Sequence, residues 1–149
     1  MNYRRLTRTA LFAAGVALSA TAPALAQISL GAGGFASGGS GQSSNGGAVF
    51  LGTGASVPVI PVSVGLTGFV PLARNGGYAV TLDGRFAAAG NAFGIGYGLG
   101  QFAGSRSGGT FTAFIDHRIA PLTSLELRGY QTTGSGSATA GFLGVRFSL

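Results

Sequence analysis

The segment Phe142-Leu143-Gly144-Val145-Arg146-Phe147-Ser148-Leu149 alternates without a break. Leu143, Val145, Phe147 and Leu149 share one parity; Gly144, Arg146 and Ser148 share the other. Successive side chains of a strand point to opposite faces, so this pattern is a strand with one greasy face and one small or polar face. The alternation continues to residue 149, so the strand is expected to run to the end of the sequence.

The start of the sequence agrees with an exported chain. Arg4, Arg5 and Arg8 form a basic opening, 11–20 is an apolar run, and Ala24-Leu25-Ala26 is a small-x-small site. An apolar run of about ten residues is too short to span a bilayer as a helix. The order and spacing are those of a secretory signal peptide over 1–26, with a mature domain over 27–149 that starts at Gln27. An amphipathic helix that stays attached would not require a cleavage site in that position. Three of the nine basic residues lie in the signal. The mature chain then has six arginines against three acids, a net charge of about +3. Its basic residues are not clustered as nucleic-acid binding requires.

Composition narrows the class further. Charged residues make up 8% of the sequence, against about a quarter in ordinary soluble domains, and 29 residues are glycine. There is no cysteine, so no disulfide supports the fold. The most apolar stretch after the signal, 48–72, is interrupted by Pro58 and Pro61. It is a poor candidate for a membrane helix. Within lipid only helices and closed barrels satisfy their backbone hydrogen bonds. The expected fold is therefore all-β: a closed, antiparallel, up-and-down transmembrane β-barrel.

Period-two segments separated by turn chemistry give about eight strands: 28–35, 48–57, 62–70, 77–86, 92–102, 110–119, 123–131 and 138–149. The connections after the odd strands are Gly/Ser-rich and mostly longer, with the first, 36–47, reaching about ten residues. Those after the even strands are short. A barrel with short periplasmic turns and longer outer loops has this asymmetry.

The alternation also sorts charge. On the fifth strand Phe93, Ile95, Tyr97 and Leu99 alternate with Gly94, Gly96, Gly98 and Gly100. On the fourth, Tyr78, Val80 and Leu82 alternate with Ala79, Thr81, Asp83 and Arg85. In the same phase Asp116 and Arg118, Glu126 and Arg128, and Arg146 all point inward. Only Arg74 and Arg106 remain, and both fall in outer loops. Arginine facing lipid at the midplane costs roughly 2–4 kcal/mol, which gives the sorting a physical cause. The expectation is an internal ionic network of Asp83, Arg85, Asp116, Arg118, Glu126, Arg128 and Arg146 that plugs the lumen. Gly94 and Gly96 would leave room for it between Asp83/Arg85 and Asp116/Arg118. Asp116 and Glu126 would lie opposite each other, separated by arginines.

Gly144, Phe147 and Leu149 resemble the C-terminal assembly signal of bacterial outer-membrane barrels, although Phe142 stands where that signal has a polar residue. The whole mature chain is similar in architecture to the small eight-stranded barrels of the OmpA, OmpX and opacity type. The resemblance implies location in the outer membrane of a Gram-negative bacterium. It also implies the lipid bilayer, the barrel assembly machinery and periplasmic chaperones as partners, and a monomeric state.

No chemical motif competes with this. His117 is the one histidine and lies next to Asp116, but adjacent strand residues face opposite sides, so Asp116 cannot orient it. His117 is expected to be an interfacial polar residue. With no cysteine and one histidine, no usual zinc site can form. Gly31, Gly33 and Gly34 begin a nucleotide-loop spacing that does not complete. The reading is a non-enzymatic barrel of structural or envelope-interaction type, with no catalytic residue, cofactor or metal. Its alternatives are a small narrow porin and a secreted Gly-rich β-assembly that forms a fibril or surface layer.

Overall fold

A computed structural model describes residues 26–149 apart from 40, 58, 59 and 135. The expected signal peptide, save Ala26, lies outside the described residues, as does Pro58. The described residues form eight strands: β1 Ala26–Gly39, β2 Gln42–Ser56, β3 Val62–Pro71, β4 Tyr78–Ala88, β5 Asn91–Gln101, β6 Gly108–Ala120, β7 Thr123–Thr132 and β8 Ala138–Ser148. Each pairs antiparallel with the next, and β8 pairs with β1, which closes the barrel. No edge is left in the sheet, so the backbone can be satisfied in lipid.

The register fixes the bore. From Ile28 the paired residues run through Thr53, Leu66, Leu82, Tyr97, Phe111, Gln131 and Thr139. They return to β1 at Gly38, ten residues beyond the start. The strands must therefore tilt, and eight strands enclose a space that side chains can fill. Parity then divides the chain. Phe93, Ile95, Tyr97 and Leu99 lie exposed on the outside of β5, as do Leu125 and Leu127 on β7 and Leu143 and Phe147 on β8. Asp83, Asp116, Glu126 and Arg128 are buried inside.

Two expectations are corrected. The first outer loop is not ten residues long. Most of 36–47 belongs to a continuous hairpin in which Ala36 faces Asn45, Ser37 faces Ser44 and Gly39 faces Gln42. Ser37, Gly38, Gly39, Ser43, Ser44, Gly46 and Gly47 are small strand residues rather than turn residues, and Ser37 and Ser44 are buried on the inner face. The second correction concerns β6. Its register on β5 sets Gly96 against Thr112 and Gly94 against Phe114, whereas Asp116 lies against Ala92. The turn between these strands closes early. Ser105 N–H donates to Phe102 O at 2.8 Å, and Phe102 N–H donates to Ser105 Oγ at 3.2 Å. This moves the hairpin centre about two residues ahead of the midpoint of the Gly/Ser-rich stretch, and folds Phe102 and Ala103 into the barrel mouth.

The β4–β5 connection offers a test of local structure. Ala88 faces Asn91, and the two residues between them, Ala89 and Gly90, have φ of 49° and 80°. Two positive φ values in a two-residue hairpin loop define a type I′ turn, which favours Asn-Gly. Ala89 is an exposed alanine held in the left-handed region. Ala89→Asn should stabilise the barrel by about 0.5–1 kcal/mol, read as a rise in the urea midpoint of reversible unfolding in lipid vesicles. An unchanged or lower midpoint would contradict the turn assignment.

Candidate functional site

The lumen is built in two layers. Near the connections that follow even strands, it is ionic. Arg128 of β7 lies between two acids: Nη1 is 2.7 Å from Asp83 Oδ2, and Nε is 2.6 Å from Glu126 Oε1. Its guanidinium also stacks on the Phe114 ring, 4.0 Å from the centroid. Arg146 of β8 places Nη1 3.1 Å from Glu126 Oε2 and 3.7 Å from Asp116 Oδ2, while Nη2 donates to Ser29 Oγ at 3.0 Å. Arg85 of β4 pairs with Asp116. Thr67 donates to Asp83 Oδ2 at 2.8 Å. Asp116 does lie opposite Glu126, and Arg146 bridges the two carboxylates. Three guanidiniums thus serve three carboxylates, the arrangement that buried charge requires.

Six of the seven residues expected in the network are brought together. Arg118 is not among them. The β6–β7 register shifts between Arg118 and Ala120, and Arg118 lies exposed at the barrel mouth. There it lines a recess of about 300 Å³ with Arg85, Asp116, Ser124 and Ser148.

The inward glycines fit this layer closely. A Cβ at Gly96 would run into the Asp83 carboxylate, and one at Gly94 into the Phe114 ring. Gly94 thus makes room for the aromatic platform under Arg128 rather than for a charge. Gly144 faces inward where β8 meets Gly33 of β1, and a Cβ there would strike Ala32 O and the Phe142 ring. Phe147 and Leu149 lie on the exposed outer face.

The second layer is aromatic and was not foreseen from the sequence. Toward the connections that follow odd strands, Phe35, Phe50, Phe69, Phe102, Tyr130 and Phe142 are buried together. Phe69 is central: its ring centroid is 4.9 Å from that of Tyr130, 5.5 Å from Phe142 and 5.7 Å from Phe35. A signal for this layer existed. Phe50 is out of phase with Val49 and Leu51, and Phe69 with Gly68 and Val70. Each therefore points away from the lipid-facing side of its own strand.

His117 lies exposed on the outside, with Nδ1 2.9 Å from Asn91 Oδ1, on the face opposite Asp116. Arg74 and Arg106 are exposed in the connections after β3 and β5. Among the described residues no helix is long and apolar enough to cross a membrane, which says nothing about crossing by strands.

The fold has solved counterparts. The attachment invasion locus protein of Yersinia pestis superposes with a TM-score of 0.58 at 15% identity, over 83% of this chain and 97% of that one. Neisserial surface protein A gives 0.54 at 13% identity, over 82% and 96%. A de novo designed transmembrane β-barrel gives 0.51 at 11% identity, over 87% and 98%. The chain has the fold of these small barrels along nearly their whole length. No protein-family model matches the sequence, and no curated protein sequence matches it.

Proposed function

We propose that this chain is a non-enzymatic integral barrel of the bacterial outer membrane, with a structural or envelope-interaction role and a plugged lumen. One observation carries the reading: the wall is sorted. The middle of every strand presents apolar or small side chains outward, while all three acids are buried inside with Arg128, and the partly buried Arg85 and Arg146 point in to meet them. A water-soluble protein or a fibril would gain nothing from that inversion; a barrel in lipid needs it. The two filled layers weigh against a nutrient pore. Gly144, Phe147 and Leu149 would be presented to the assembly machinery, with periplasmic chaperones holding the chain before insertion. The closed ring of strands needs no second copy, which supports a monomer. An envelope-interaction role also suits a fold whose solved counterparts include a protein named for attachment and invasion.

Fractionation of the native host tests this proposal. The protein should sediment with the outer membrane, begin at Gln27 by mass spectrometry, and migrate faster on a gel when unboiled. Recovery from the medium as an insoluble assembly, or from the cytosol with residues 1–26 attached, would refute it.

A further inference from the structure

Arg118 is the arginine of the inner face that the ionic network leaves over. It keeps the inward phase of Asp116 and pairs in register with Ser124 of β7, which in turn faces Arg146 of β8. Among the described residues it forms no ion pair, whereas Arg85, Arg128 and Arg146 all do. The surplus charge is not spread evenly. The deep tier holds Arg128 with Asp83 and Glu126, one positive charge against two negative. The tier at the mouth holds Arg85, Arg118 and Arg146 with Asp116, three positive charges against one negative. Positive potential therefore concentrates at the end of the bore that carries the β4–β5 and β6–β7 connections, and low-dielectric walls focus it.

That charge faces a recess rather than a flat surface. The recess holds about 300 Å³, and Arg85, Arg118, Ser124 and Ser148 line it. The Arg85 side chain is 23% exposed and Arg118 is exposed, so both guanidiniums can meet a solute. Ser124 and Ser148 add hydroxyls that can donate. Elsewhere the lining includes Ala88, Ala89 and Ala92, whose side chains bring neither charge nor acceptor. The acid of the lining is Asp116, and its charge is taken up by Arg85 and Arg146. A cation would meet two guanidiniums there, and a neutral ligand would leave the surplus charge unanswered. Guanidinium forks match the paired oxygens of a carboxylate or a phosphate. We propose that the recess is an oxyanion site, which takes a carboxylate or phosphate group from the side of the connections that follow even strands. The site stands on the bore alone; the proposed function adds only that this side is the periplasm.

The test uses the full barrel refolded in lipid nanodiscs with nitrogen-labelled arginine. Inorganic phosphate and acetate are titrated separately against chloride at constant ionic strength. At least one of them should give saturating shifts of the Arg118 and Arg85 Nε–H signals. Arg74 and Arg106, exposed in the connections after β3 and β5, should show no saturating shift. Saturation by phosphate alone assigns a phosphate group, and saturation by acetate alone a carboxylate. Arg118→Gln leaves every ion pair of the network in place. It should weaken binding about tenfold, the worth of one hydrogen bond to a charged group. Saturation by neither anion, or an Arg118→Gln barrel that titrates like the wild type, would overturn the site. Neither result bears on residence in the outer membrane, which fractionation tests separately.

Discussion

Deleting residues 146–149 is expected to abolish the closed barrel. These residues supply the last part of the β8–β1 seam, where Arg146, Phe147 and Ser148 face Gly31, Leu30 and Ser29. Ile28 and Leu149 exchange backbone hydrogen bonds of 3.2 and 2.8 Å just beyond. The deletion leaves that length of β1 unpaired along one edge and takes the same length from β7, which faces β8 at Ser124 and Thr123. In hydrocarbon each unsatisfied backbone group costs several kcal/mol, so a handful exceeds the stability of a domain of this size. The deletion also removes the arginine that bridges Asp116 and Glu126. Expression followed by protease treatment and an unboiled gel should give no protected, fast-migrating band. A protected barrel at normal yield would show that the seam closes without this segment.

Arg128→Ala is expected to be the most damaging single substitution in the lumen. Arg128 is 1% exposed and contacts both Asp83 and Glu126. Removing it leaves two buried carboxylates short of a partner and bares the Phe114 ring on which it stacks. Breaking a buried pair by deleting one partner costs about 3–5 kcal/mol. Arg106→Ala, at an exposed position between strands, should change little and serves as the control. Reversible unfolding in urea reads the difference. Equal midpoints for the two variants would mean that the interior is hydrated enough to screen its charges. The same reasoning places Glu126→Ala with Arg128→Ala, because Glu126 is fully buried between Arg128 and Arg146.

Which parts of this architecture the sequence disclosed follows from what alternation can encode. On β5 the contrast between Phe93-Ile95-Tyr97-Leu99 and four glycines leaves no doubt about phase, and the inward direction of Asp83, Glu126, Arg128 and Arg146 follows from it. Parity is a property of one strand at a time. Register is a property of two, and it is set by turn geometry. The tight turn at Phe102–Ser105 moved the hairpin centre by two residues, and so the β6 register by four, and put Phe114, rather than Arg118, against Gly94. Arg118 keeps its phase and its pairing with Ser124, but it lies past the last β5–β6 pair, Asn91 with His117, and so stands at the mouth clear of the network; nothing in Asp116-His117-Arg118 announces that. The β1–β2 hairpin was hidden for a different reason. Ser37, Gly38, Ser43 and Ser44 have turn-like composition, yet in a sheet they act as small residues whose backbone pairs fully. The aromatic layer escaped notice because phenylalanine is at home on either face of a membrane barrel. Only the convergence of Phe35, Phe69 and Phe142 from three strands, with Phe102 from the connection after β5, shows that it fills the bore.

The account rests on a closed lumen, with the ionic layer at one end and the aromatic layer at the other. Electrical recording of the purified protein in planar lipid bilayers tests this most directly. The two layers predict no stable conductance above the bilayer background, even at high salt and protein concentration. A steady, ohmic step comparable to that of a general porin would show an open path through the barrel and contradict the account.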